Sequence, residues 1–210
     1  MAAGGLRERK KQMTREALVS AAEALFAQRG FDNVTVAQIA EAVHIAPKTV
    51  FVYFSTKEDL VFHGEDAMCE TLVSRIRDRP RGQSPLEALT AVLAEKMSAS
   101  RSGPVSDLER LLLIVGDSPT LLARMQRMWQ RFEQALAVEL ARESGEHPSA
   151  PQPRIAAAQL ITVFRSMAAP EVMTYLRSYP VSERAAAYAN WLTAAAELVG
   201  NGIADYGRRP

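Results

Sequence analysis

The sequence predicts an all-α protein, and three observations carry that expectation. Apolar residues recur at three- and four-residue spacing along nearly the whole 210-residue chain, and no stretch reads as a convincing strand or an internal repeat. Helix-start signals punctuate the chain, either Ser or Thr with Glu or Gln three residues on, or Pro at a first helical position. Gly or Pro stands where the periodicity stops. Together these divide the chain into about nine or ten helices.

Taken in order, residues 1–5 are expected to be disordered, and Arg7, Arg9, Lys10 and Lys11 form a basic lead-in. A first helix should run from Thr14 to Gln28 on a stripe of Ala17, Leu18, Ala21, Ala24 and Leu25, ended by Gly30. Thr35 and Gln38 form a capping box, and Val36, Ile39, Ala40 and Val43 follow as one apolar face. His44-Ile45-Ala46 breaks that pattern. Pro47, with its fixed φ, opens another short helix carrying Val50, Phe51 and Phe54. Ser55 with Glu58 reads as the start of a long helix through Arg79, stopped by Pro80. Ser84-Pro85 with Glu87 starts the next, which ends before Gly103-Pro104. Ser106 with Glu109 caps a short helix ending near Gly116, and Asp117-Ser118-Pro119 opens a long one reaching Ser144. Gly145 to Pro153 reads as a loop. Two further helices are expected, Arg154 to Ala168 and Ser182 to Asp205, with Pro170 and Pro180 interrupting the material between them.

Two short helices across a tight turn, with Lys48 and Thr49 at the start of the second, make a helix-turn-helix. That motif lays its second helix in the major groove of DNA. Charge agrees: residues 1–57 hold eight Lys/Arg and five acids, a net of +3, so the rest of this +1 chain nets −2. Positive charge thus sits on the segment that would meet phosphates, although a solvated charged face would give the same bias. In the first turn of the second helix, Lys48 is placed to donate to guanine O6 and N7, and Thr49 to touch a thymine methyl or a phosphate. Val52 points outward toward a thymine methyl. Thr35, Tyr53 and Lys57 are expected to position the module on the phosphate backbone, Thr35 with the help of the helix N-terminus. Val50 and Phe54 are expected in the core. The basic run from Arg7 to Lys11 is either an arm on neighbouring phosphates or a soluble tail.

The order Phe31, Thr35, Ile39-Ala40, Thr49-Val50-Phe51, Tyr53-Phe54, Lys57 and Leu60 resembles the TetR family of transcriptional regulators. The family's usual pattern is an aromatic, a Thr cap, Ile-Ala, a Thr-aliphatic-Tyr-x-Tyr-Phe run and a Lys-Glu pair before Leu. The likeness covers about the first 60 residues. It implies a helix-turn-helix domain over 1–62 and a larger helical ligand-binding and dimerisation domain over 63–210. It also completes the candidate DNA-contacting set: Thr35, Gln38, Pro47, Lys48, Thr49, Phe51, Val52, Tyr53 and Lys57. Three positions depart from the pattern. His44 stands where the family often has Gly, a turn position that His occupies at some strain. Ala46 stands for a capping Ser, a change that typically costs ~1 kcal/mol and that Pro47 partly offsets. Phe51 replaces Tyr and lacks the hydroxyl that in the family often reaches a phosphate.

The same resemblance implies a homodimer built by the last two long helices, and a small, mainly apolar effector enclosed by the central helices. The helix-turn-helix asks for a dimer independently, because two recognition helices read half-sites ~34 Å apart on one face of DNA. Alanine-rich stretches at 156–158, 168–169, 185–187, 189 and 194–196 allow close helix approach, either between protomers or within one. Leu160, Val163, Phe164, Leu192, Leu198 and Val199 supply core area there. Leu122, Met125, Met128, Trp129, Phe132 and Leu136 form an aromatic and Met-rich stripe that is either core or a cavity wall. Phe164, Met167, Met173 and Tyr175 are candidate further walls, with Arg110 or Glu109 as a polar anchor. The alternative is a DNA-binding dimeric protein with no small-molecule effector.

Other classes have little support. The single Cys69 excludes an intramolecular disulfide and a cysteine metal cluster, and is expected to be a buried packing residue. His44, His63 and His147 are scattered, so no metal or other cofactor is expected. There is no nucleotide-binding glycine loop, no G-x-S-x-G and no metal-ligand spacing, which argues against an enzyme. No apolar run approaches the ~18 residues that span a bilayer, and the N-terminus lacks a signal peptide's apolar core, so a cytoplasmic protein is expected.

Overall fold

The computed structural model describes residues 2–99, 104–116 and 118–202; the side chains of 2–4, 6, 96–99 and 104–109 fall outside that description. The described residues form ten α-helices: α1 (Ala2–Arg29), α2 (Val36–Ala42), α3 (Pro47–Tyr53), α4 (Glu65–Arg77), α5 (Pro85–Ala99), α6 (Pro104–Val115), α7 (Pro119–Ser144), α8 (Pro151–Met167), α9 (Pro170–Arg177) and α10 (Arg184–Asn201). Single 3-10 turns occur at Glu58–Leu60 and Val181–Glu183. The fold is all-α, with a helix-turn-helix followed by a larger helical region. Among the described residues no helix is long and apolar enough to cross a membrane.

The chain divides into two compact units. The first takes Met1–Glu65 and adds Arg110–Met125. Leu18, Ala22 and Phe26 on α1 meet Phe31, Val34, Ile39, Ala40, Val50, Phe54 and Leu60 in its core. The Phe26 and Phe31 rings lie 5.0 Å apart across the turn at Gly30, whose φ of 78° no β-carbon favours. Ile114, Val115 and Leu121 are buried in the added segment. Polar links hold that segment within the unit. Arg110 faces Glu23 at 3.9 Å, Ser118 Oγ donates to Asp32 Oδ1 at 3.2 Å, and Arg124 Nη2 meets Glu65 Oε1 at 2.6 Å.

The second unit comprises Asp66–Glu109 and Gln126–Pro210. Its core gathers Leu72, Ile76, Leu89, Val92, Phe132, Leu136, Ile161, Phe164, Met167, Leu176 and Leu192, and α10 packs on α5, α8 and α9. Glu139, only 4% exposed, is its buried charge. Two arginines neutralise it: Arg77 donates through Nη2 at 3.1 Å, and Arg142 donates from the same helix. The hydrogen bonds from Arg142, and then those from Arg77, hold its carboxyl below the ordinary carboxylate range against the opposing cost of burial.

Several local expectations fail for identifiable reasons. Helix α1 starts at Ala2, so the expected disorder of 1–5 and the start at Thr14 are both overturned for residues 2–13. Its buried stripe is Leu18, Ala22 and Phe26, while Ala17 and Ala24 are exposed. The face is rotated because Phe26 has the largest apolar area to bury. The capping pair after α3 is Thr56 with Asp59, at 3.0 and 3.3 Å, in place of Ser55 with Glu58. Only a 3-10 turn follows it, since Leu60 and Phe62 turn into the core before α4 begins at Glu65. Ser84 and Glu87 do cap each other at the start of α5, at 2.7 and 3.2 Å. Helix α6 starts at Pro104, and the expected Ser106–Glu109 cap lies outside the described side chains, as do Asp117 and the expected helix end at Asp205. Helix α8 starts three residues early, with Pro151 in its first turn, and α9 fills the stretch between the two prolines. Cys69 is half-buried on α4.

Candidate nucleic-acid interface

The α2–α3 pair is assembled by local chemistry at each end. Thr35 Oγ1 accepts from the Gln38 amide at 3.3 Å, and Gln38 Oε1 accepts from the Thr35 amide at 2.8 Å. Two otherwise orphaned donors are thereby satisfied at the start of α2. At its end, His44 sits at φ 57°, the one non-glycine residue with positive φ among the described residues. That turn sends the chain into α3. Ala46 makes no side-chain cap bond, and Pro47 occupies the first turn instead.

Helix α3 has two faces. Val50 and Phe54 are 1% and 3% exposed and fasten it to the core. Lys48, Phe51 and Val52, at i, i+3 and i+4, share the opposite face. Phe51 is 55% exposed and Val52 73%, and Lys48 is also exposed. Thr49 and Tyr53 lie half-buried along one flank, and Pro47 is exposed at the start. Two large apolar side chains thus stand in solvent beside an exposed lysine. Thr35 is exposed and Gln38 half-buried at the start of α2.

Two cations hold this module together, and neither role is readable from local sequence. Arg15 on α1 donates through Nη1 to the Tyr53 carbonyl at 2.9 Å, and its guanidinium lies 4.3 Å from the centre of the Phe54 ring. It thus closes the C-terminal end of α3, where orphan carbonyls and the helix dipole favour positive charge. Lys57 turns inward. Its Nζ donates to the Phe31 and Val34 carbonyls, each at 2.9 Å, and stands 3.9 Å from the centre of the Phe31 ring. Two of its three donors are spent on backbone, so the geometry makes Lys57 a tie within the module, where the sequence had pointed to a phosphate contact.

Arg7, Arg9, Lys10 and Lys11 are exposed on the first turns of α1. The residues expected to line an effector site separate into two groups. Met128, Phe132, Phe164 and Met167 are 1–7% exposed in the core of the second unit. Met125 and Trp129 are half-buried, Arg110 is exposed in its ion pair, and Tyr175 is 50% exposed. Trp129 stacks edge-on against Phe132 at 5.7 Å, and its indole Nε1 is buried with no hydrogen-bond partner among the described residues.

Residues 18–63, which contain the whole α2–α3 pair, match the family model for bacterial regulatory proteins of the tetR family. The chain is 32% identical over 146 residues to the HTH-type transcriptional regulator TcmR of Streptomyces glaucescens, a match covering 67% of this chain and 65% of that protein. The chain therefore spans just under two thirds of the length of that relative. Among solved structures it resembles native NalD, the secondary repressor of the MexAB-OprM multidrug efflux pump in Pseudomonas aeruginosa. The TM-score is 0.58 at 21% identity, over 88% of this chain and 97% of that one. It also resembles Thermus thermophilus FadR, a repressor solved with lauroyl-CoA, with a TM-score of 0.55 at 21% identity over 93% and 97% of the two chains. At such identities the structural likeness shows a shared fold.

Proposed function

This chain belongs to the TetR family of DNA-binding transcriptional regulators, and on that premise we propose that it is a homodimeric repressor of a palindromic operator, released by a small, mainly apolar effector. The observation that carries the DNA-binding reading is the outward face of α3, where Lys48, Phe51 and Val52 stand in solvent while Val50 and Phe54 anchor the helix. In this reading residues 1–62 bind DNA and 63–210 bind ligand and dimerise, in the cytoplasm. Lys48 and Thr49 read base edges, and Val52 and Phe51 offer apolar contact to thymine methyls. Thr35, Gln38 and Tyr53 position the module on phosphates, and Pro47 sets the start of α3 beside them. Lys57 holds the scaffold that presents them.

Dimerisation through α8 and α10 places the two α3 helices in successive major grooves. The effector acts by favouring a dimer whose α3 helices no longer match one helical turn, and it does so only through different affinity for the two states. Trp129 supports an effector with one hydrogen-bond acceptor on an apolar body, because a buried indole N–H without a partner is costly. A second reading, a DNA-binding dimer with no effector, draws support from the core burial of Phe132, Phe164 and Met167.

Operator fragments selected from the source genome provide the test of DNA binding. Lys48→Ala should lose about 1–3 kcal/mol on the selected site and relax base preference, measured by fluorescence anisotropy. Equal losses on selected and random DNA would remove Lys48 from base reading. Thermal shift against apolar metabolites, and separately against the fatty acyl-CoA thioesters that the FadR likeness brings forward, separates the two effector readings. If no compound stabilises the protein or weakens operator binding, the second reading stands.

A further inference from the structure

A groove of about 330 Å³ opens within the second unit between α9 and α10, lined by Tyr175, Tyr179, Glu183, Asn190 and Trp191 over Ala186, Ala187 and Ala194. Its walls are aromatic. Tyr175 and Tyr179 meet at 5.4 Å with their ring planes 78° apart, so they form a corner. A 2.7 Å hydrogen bond between their hydroxyls fixes that corner. Trp191, half-buried one helix away, supplies a third ring, and alanines leave the floor free of long side chains.

The residues lining the groove carry one sign of charge. No Lys or Arg lines it, and its single ionisable acid, Glu183, has no ion-pair partner among the described residues. The guanidinium of Arg184 lies outside the lining and keeps its charge, donating to the carbonyls of Tyr179 and Arg177 at 3.1 and 3.4 Å. The Tyr179 hydroxyl is held above the ordinary tyrosine range, first by the bond to Tyr175, then by partial burial and the charge of Tyr175, and last by the negative charge of Glu183. Three electron-rich rings beside one carboxylate form the environment in which an alkylated ammonium exchanges water for ring faces and a counter-ion.

We propose that this groove binds a small organic cation, a quaternary or alkylated ammonium headgroup seated between the Tyr175–Tyr179 corner and Trp191, with Glu183 as its counter-charge. The site shares Tyr175 with the residues considered for an apolar effector and none of those on α7, and it does not require that DNA binding be as proposed above. The groove takes Ala186, Ala187 and Ala194 from the alanine-rich surface of α10. A dimer contact compatible with it is confined to Ala185 and Ala189, which at 100° per residue turn away from Glu183 and Ala194.

The full chain has two tryptophans, so Trp129→Phe leaves Trp191 as a sole fluorescent reporter. In that background, choline should quench the Trp191 emission saturably, while 3,3-dimethylbutan-1-ol, the neutral molecule of the same shape, should not. Tyr175→Ala and Tyr179→Ala should each weaken choline about two- to fivefold, and Tyr179→Phe, which keeps the ring, should not. Glu183→Gln should weaken it about two- to fivefold. Circular dichroism establishes that each variant is folded. Equal quenching by the neutral analogue overturns the proposal. So does indifference to Tyr175→Ala combined with Tyr179→Ala. So does shielding of Trp191 from acrylamide in the free protein, which would mean that a second copy covers the groove.

Discussion

Helices α3 and α7 begin alike, each on a proline, and each carries aromatic and aliphatic residues at helical spacing. Their side chains meet opposite fates. In α7, Met128, Phe132 and Leu136 are consumed by the core of the second unit. In α3, Val50 is consumed while Phe51 and Val52, its immediate neighbours, are left in water. An apolar stripe thus says that area must be buried, and burial alone says against what. Where the chain supplies the cover, the stripe is scaffold. Where it does not, the side chains are left in solvent, as Phe51 and Val52 are.

Substitution at matched residues breaks this contrast most sharply. Phe132→Ala should cost about 3–5 kcal/mol in urea unfolding, as expected for an aromatic that is 1% exposed. Phe51→Ala should stay within about 0.5 kcal/mol of the parent in the same measurement and instead weaken operator binding. A large stability loss at Phe51 would mean that it packs against the protein.

The next effect concerns charge in the second unit. Glu139→Gln should cost about 1–3 kcal/mol at neutral pH, since it removes two charge-assisted interactions from a buried carboxylate. The carboxyl is held below its unfolded value, so its contribution is present above the unfolded pKa and is lost as pH falls through the lower, folded one. Denaturant midpoints of parent and variant should therefore converge on acidification. A constant gap down to pH 3 would show that packing, not ionisation, carries the difference.

A smaller effect sharpens the reading of the first unit. Lys57→Ala should lower stability by about 1–2 kcal/mol through loss of its ties to Phe31 and Val34. The salt dependence of DNA binding should be unchanged. A flatter salt slope with unchanged stability would return Lys57 to the phosphates.

These cases also show what the sequence could and could not disclose. The Thr35–Gln38 box was legible because both partners lie within four residues and no rival pairing fits. After α3, two overlapping pairs fit the same spacing, Ser55 with Glu58 and Thr56 with Asp59. The burial of Leu60 and Phe62, a tertiary fact, decided between them. The outward Val52 and the inward Val50 followed from helical period. The inward turn of Lys57 did not, because a lysine near phosphates and a lysine over carbonyls look identical in a string of letters. Arg15 closing α3 across 38 residues, and Ser118 reaching Asp32 across 86, leave no local trace at all. Helix α1 extends to Ala2, and among its described residues the exposed turns carry local bonds such as Gln12 to Glu16 and Thr14 to the Lys10 carbonyl.

Three helices begin on the same dipeptide, Ala46-Pro47 at α3, Ala150-Pro151 at α8 and Ala169-Pro170 at α9, and none of the alanines makes a cap bond. A helix whose start is set by a proline holds the residue before it in extended backbone, as at Ala46, φ −72° and ψ 143°, and takes no bond from its side chain. Position 46 is therefore unencumbered: its side chain can be exchanged without unseating α3. The end of the module that faces outward is thus open to variation, and a new specificity can be tried there at little cost to the fold.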